Sequence, residues 1–375
     1  MIFDNTFRIF LCMLMLLTIG LADGNGQSNL PTSIVDSVTV IDSLKIGDPA
    51  PAIAACKWIK GNPVTKFVRD KVYVVEFWAT WCGPCQAAMP HLSELARTYK
   101  GKVEVISFDV KEDKKTDFLL KVERFVKWSG DRMDYAVAID LPDDIMEKTW
   151  LQAAGANGIP HVFIIDQQGK IAWHGHPDYV GDVLSAMVNG RYDEAGKKLV
   201  EEQIKAKSQL YDSLAHKMMA AKKDGDYQTA LAIVEEISPI FPALRSDCAN
   251  MKYEFLSHID SKKARQFADT LLAKWHPKDQ VSFAAFILSS QPNGAFKPDY
   301  EFALKWVKYA AAYWDPQDEV IFVTLAKAYY KTGNKEQAIS NQQKFIEMLK
   351  KDPAIKPQTL EMAEKTLQLY LSMKH

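Results

Sequence analysis

The stretch VYVVEFWATWCGPCQAAMPHL, Val72 to Leu92, decides the fold. Val72–Trp78 is apolar and β-branched apart from Glu76, the pattern of a central strand. Two cysteines, Cys82 and Cys85, follow at once, and helix-forming residues begin directly behind them. A structural metal clip needs four ligands, usually two such pairs or one pair plus two close histidines. The chain has no second Cys-x-x-Cys, and His174 and His176 are separated by one residue, a poor spacing for a clip. A disulfide staple across so short a loop restricts the unfolded chain very little. A redox couple fits better. Cys82 stands where the helix starts, so its thiolate would face unsatisfied N–H groups and the positive end of the helix dipole. Cys85 lies one helical turn on, placed to resolve a mixed disulfide. Gly83 permits close packing, and Pro84 suits a first helical turn, where a missing N–H costs nothing. Gly-Pro supplies no charged or proton-donating group to favour the Cys82 anion further. That implies a reducing couple, nearer to about −270 mV than to −120 mV.

Outward from this stretch, residues 46–190 alternate short apolar runs with helical patterns. KGNP, Lys60–Pro63, reads as a turn. Helical spacing covers Gln86–Tyr99, Thr116–Trp128, Asp144–Ala154 and Tyr179–Val188. Strands are expected at Val103–Val110, Tyr135–Ile139, Val162–Ile165 and Ile171–Trp173, the last two as a hairpin around DQQG, Asp166–Gly169. This order implies a central mixed sheet flanked by helices, an α/β sandwich. After Gly190 the strand signals stop. A small residue recurs behind Gly or Asp turns at Ala230, Ala264, Ala303 and Ala338, spaced by 34, 39 and 35 residues. The longest step holds QPNGAFKP, Gln291–Pro298, and Thr359–Met373 reads as a capping helix. Residues 191–375 thus resemble a tetratricopeptide-type array of helical hairpins, whose period is 34.

The sequence EFWATWCGPC also resembles the thioredoxin superfamily, and GIPHVFIID, Gly158–Asp166, matches its second signature. IGDPAPAI, Ile46–Ile53, and the insertion before Pro160 are similar to the TlpA-like, or redoxin, branch of exported thiol–disulfide oxidoreductases. The resemblance implies a thioredoxin fold with an inserted strand–helix unit over residues 46–190. It makes Cys82 and Cys85 a redox-active disulfide that needs no other cofactor and no metal. Pro90 falls at the usual helix kink, and Glu76 at the buried acid that relays protons to the resolving thiol. Pro160 becomes a cis-proline facing the cysteines, with Ile159 beside it in the active-site surroundings, His161 as a candidate substrate contact or else a solvated loop histidine, and Trp81 a shield over the sulfurs.

The apolar segment Ile9–Ala22 has 14 residues, short of the roughly 20 that span a bilayer. Gly20 and Ala22 suit a cleavage site, so residues 1–22 read as a signal peptide, with an uncleaved anchor as the alternative. Residues 23–45 read as a flexible tether, with a short strand at Ser37–Ile41. Expected partners are disulfide-containing exported proteins, a membrane or exported thiol donor, and a peptide or protein on the helical repeats. The protein is placed in the periplasm or outside the cell. A net charge of −1 gives no global field to draw nucleic acid. Cys56 reads as a buried or edge thiol, Cys248 and Trp78 as core, and His91 as helix surface. The alternative functions are a disulfide oxidase or isomerase, a thiol peroxidase, and a binding module with an ancillary redox domain. VVEFWATW before Cys82 lacks the proline of a peroxidatic setting.

Overall fold

A computed structural model describes residues 43–373, apart from 55, 115–117, 142, 294–295, 314–317, 352–354 and 356. The apolar segment Ile9–Ala22, nearly all of the tether and the Ser37–Ile41 strand lie outside the described residues.

Six strands form one sheet: β1 Cys56–Lys60, β2 Val72–Trp78, β3 Val103–Asp109, β4 Ala136–Asp140, β5 His161–Ile165 and β6 Ile171–Gly175. Their order is β1-β4-β3-β2-β5-β6. The centre, β4-β3-β2, is parallel, and β1, β5 and β6 pair antiparallel. β2 is buried along its whole length, which is why its residues show no polar alternation. Side chains alternate between faces, so β2 supplies both layers. Val72, Val74 and Trp78 pack under helix α1, Gly83–Thr98, with Cys85, Met89 and Leu92. Tyr73, Val75 and Phe77 pack on the other face with Phe108, Phe163 and Trp150.

Helix α2 spans Phe118–Ser129 and runs into a 3-10 turn at Gly130–Met133. The helix expected at Asp144–Ala154 is a π-helix over Glu147–Gln152. Its wide turn lets Met146, Trp150 and Leu151 all bury against the sheet. Helix α3, Val180–Val188, closes the sandwich.

Beyond it come α4 Glu194–Lys223, α5 Tyr227–Ile240, α6 Arg245–Ile259, α7 Ser261–Leu272, α8 Pro277–Ser289, α9 Tyr300–Ala311, α10 Val320–Lys331, α11 Lys335–Lys351 and α12 Pro357–Leu371. Ala230, Ala264, Ala303 and Ala338 are each buried, and each is the fourth residue of its helix. The residue before each of those helices is Asp226, Asp260, Asp299 or Asn334. Its side-chain oxygen accepts from a first-turn N–H. That cap explains why a Gly/Asp turn precedes every alanine.

The core does not end at Gly190. Val180, Val183 and Leu184 of α3 share one apolar cluster with Val200, Leu214 and Met218 of α4 and Ile233 and Val234 of α5.

Candidate active site

Cys82 caps α1 and Cys85 lies in its first turn, joined to it by a disulfide with sulfurs 2.03 Å apart. The Cys85 backbone N–H points at Cys82 Sγ, 3.2 Å away. A cap position has extended backbone, and here the sulfur takes the place of the usual capping oxygen. Cys85 is sealed, while Cys82 keeps 4% exposure beneath the exposed Gly83 and Pro84. Trp81, 58% exposed, stands at the rim, and its indole N–H donates to the Lys111 carbonyl at 3.1 Å. Across from the sulfurs runs the loop into β5. The Ile159–Pro160 peptide is cis, and the Ile159 carbonyl oxygen lies 3.8 Å from Cys82 Sγ.

Glu76 shares the α1 face of β2 with Val74 and Trp78 and is fully buried. The Tyr135 hydroxyl donates to Glu76 Oε2 at 3.2 Å, while Oε1 has no partner among the described residues. Burial pushes the Glu76 carboxyl up to about 8, against the smaller lowering by Tyr135. A second buried acid, Asp109, ends β3 on the same face as Val103 and Val105. Burial, then the neighbouring Glu112 carboxylate, pushes Asp109 up to about 9. Glu112 Oε1 in turn accepts from the Thr80 N–H at 2.6 Å, which pins the loop leading to Cys82.

His161 opens β5 on the face opposite α1, packed on Phe163. Its Nε2 lies 3.1 Å from His174 Nδ1. Burial, then His174 and His176, drives it down to about 3, so the ring stays neutral. It is neither a solvated loop residue nor on the sulfur side of the sheet.

Cys56 and Cys248 are both free, which excludes a bridge between them. Burial raises Cys56 to about 11 and Cys248 to about 12, leaving both as inert thiols. His91, expected on the helix surface, is covered instead. Both ring nitrogens are sealed, beside a cavity of about 410 Å³ lined by Asp178, Asp182, Lys207, Pro239 and Pro242. Residues of α3 and of the helical region together line that cavity, and nothing in the local spacing of α1 announces them. Among the described residues no group of three or more His, Cys, Asp or Glu side chains is placed to hold a metal ion. No described helix is long and apolar enough to cross a membrane.

Sequence reasoning missed Tyr135, Asp109, Glu112 and Arg132. Arg132 Nη2 donates to the Gln86 carbonyl of α1 at 2.8 Å. Pro90 was the available signal, because a proline inside a helix frees the carbonyl four residues before it.

A paired-sulfur helix cap opposite a cis-proline loop, on a sheet of this order, defines a thiol–disulfide exchange protein of thioredoxin type. Residues 61–126 match the family model described as Thioredoxin. Protein FixW of Rhizobium leguminosarum is 30% identical over 203 residues, covering 52% of this chain and 90% of FixW. Thiol-disulfide oxidoreductase ResA of Bacillus anthracis is 33% identical over 132 residues, covering 35% of this chain and 69% of ResA. Among solved structures, StoA from Bacillus subtilis aligns over 34% of this chain and 90% of its own, at 18% identity and a TM-score of 0.27. The chain belongs to the thioredoxin superfamily, among the thiol–disulfide oxidoreductases similar to ResA.

Proposed function

We propose that the protein is a disulfide reductase for exported proteins, with Cys82 as the attacking thiol and Cys85 as the resolving one. The observation that carries this reading is the Cys85 N–H aimed at Cys82 Sγ at the head of α1. In the dithiol state the same N–H donates to a Cys82 thiolate, and the helix dipole adds to it. The thiolate attacks one sulfur of a foreign disulfide. The other foreign sulfur leaves as a thiolate and takes up a proton. Cys85 then gives its proton towards Glu76 and attacks Cys82 Sγ, which releases the second foreign thiol. Two electrons pass to the target, and the Cys82–Cys85 cystine remains. A carboxyl with its midpoint near 8 can take and return a proton close to neutral pH. The loop at Pro160 holds the target backbone, and Trp81 shields the sulfurs from water.

An exported or membrane-bound thiol must return the cystine to the dithiol. Residues 1–22 direct the chain out of the cytoplasm, cleaved or retained as an anchor. Residues 191–375, as tetratricopeptide-like hairpins, bind a peptide or protein partner. The test is equilibration of the full chain with glutathione buffers. A couple nearer to about −270 mV supports the reductase; one above about −150 mV contradicts it and favours an oxidase.

A further inference from the structure

Pro90 inside α1 leaves one main-chain acceptor without its usual donor four residues on. Pro90 has no N–H, and its ring turns the Gln86 carbonyl aside. Arg132 Nη2 fills that vacancy at 2.8 Å. The same nitrogen lies 3.0 Å from Asp279 Oδ1, on the first turn of α8 in the C-terminal helical region. Arg132 is 6% exposed, and its Nε and Nη1 have no partner among the described residues. Three of its five donors are therefore idle. A guanidinium so poorly satisfied is costly to bury, and a fold that needed only filler there would do better with an apolar side chain.

Gln86 is also the hub of the turn that carries the sulfurs. Its N–H donates to the Cys82 carbonyl at 3.1 Å, and its side-chain amide donates to the Thr80 carbonyl at 2.7 Å. We propose that Arg132 is a positioning residue for the Cys82–Cys85 pair, and that through Asp279 the C-terminal helical region takes hold of the redox site. In the oxidised protein the disulfide pins the first turn of α1 covalently. In the dithiol that pin is gone, and the Gln86 contacts carry the turn. Loss of Arg132 therefore weakens the dithiol more than the disulfide. The neighbouring contacts give the seam its rigidity: Lys278 Nζ sits 3.4 Å over the Phe125 ring, and Trp128 meets His276 edge-on at 5.5 Å.

The proposal rests on the redox reading of the pair. The experiment equilibrates full-length protein with reduced and oxidised glutathione, so that the dithiol and glutathione disulfide exchange two electrons with the cystine and two glutathione thiols. Arg132→Met shifts the constant towards the cystine by at least about threefold, and Arg132→Lys, which keeps one charged donor, shifts it less. Asp279→Asn moves the constant when Arg132 is present and leaves it unmoved in the Arg132→Met background. Variants that fold and match the wild-type constant overturn the proposal, as does an Asp279→Asn effect that persists undiminished without Arg132. If Arg132→Met does not fold, Arg132→Lys and Asp279→Asn decide it, and wild-type constants in both overturn it. Wild-type protein that fails to exchange with glutathione overturns the redox reading and this proposal together.

Discussion

The Tyr135 hydroxyl donates to Glu76 Oε2 across 3.2 Å, in a fully buried pocket on the side of the sheet that carries the two sulfurs. That bond is a weak counterweight to burial, which leaves Glu76 near 8. Glu76→Gln keeps the hydrogen-bonding shape and removes the proton acceptor. Release of product from the mixed disulfide is expected to slow by about tenfold to a hundredfold near pH 7, with formation of the mixed disulfide much less affected. Stopped-flow measurement of the two phases separates them. Equal slowing of both phases would remove Glu76 from the resolving step.

The buried acids also shape stability against pH. Glu76 and Asp109 have folded-state midpoints raised to about 8 and about 9, so the folded chain holds protons that the unfolded chain releases near 4. Between those limits the folded state binds more protons, and stability falls as pH rises. Taken by themselves, the two acids are expected to lower the stability of the oxidised protein by on the order of 5–10 kcal/mol between pH 5 and pH 9. A Glu76→Gln, Asp109→Asn double variant flattens that loss. Urea melts of both proteins at five pH values measure it, and a double variant that changes with pH just as the wild type does contradicts both assignments.

Lys278 acts in the opposite sense. Burial, then Arg132, pushes its ammonium down to about 7 while it faces the Phe125 ring. Below pH 7 both folded and unfolded chains hold the proton, and the full cost of burying the charge is present. From about 7 up to the usual lysine range the folded chain sheds it first, and stability recovers. Lys278→Met is therefore expected to stabilise the protein more at pH 6 than at pH 10. An equal gain at both values would show that the lysine stays charged when buried.

A fragment ending at Gly190 tests how far the two halves stand alone. It retains all six strands, α1 and the sulfur pair, yet it cuts through the apolar cluster that Val180, Val183 and Leu184 share with residues of α4 and α5. At about 25 cal/mol per Å² of apolar surface, the fragment should still fold while melting well below the full chain. An unfolded or inert fragment would make the chain one indivisible unit.

The strands of the redox half were legible because β2, β3 and β5 are buried on both faces and so read as mostly apolar runs, with Glu76, Glu104, Ser107, Asp109 and His161 as the exceptions. The sulfur pair was legible because its two cysteines lie three residues apart, and the cis Ile159–Pro160 peptide because GIPHVFIID carries a family resemblance. The repeat alanines were legible because each follows its cap by a fixed offset. Contacts that cross the seam were not. Arg132 reads as an ordinary charge next to Asp131, and only the arrival of α8 gives it Asp279 to hold. His91 shows the same limit. It shares its surroundings with Gly181 of α3 and with Pro239 and Pro242, all distant in sequence from α1. Asp109 sits inside a strand run, and its raised midpoint comes first from the burial that the folded sheet imposes and then from the Glu112 carboxylate beside it.

The most direct measurement places the full-length Cys85→Ser protein with a disulfide-bonded model polypeptide and maps the covalent adduct by mass spectrometry. The account predicts a stable mixed disulfide at Cys82, absent from the Cys82→Ser protein. An adduct at Cys56 or Cys248, or none at Cys82, would contradict it.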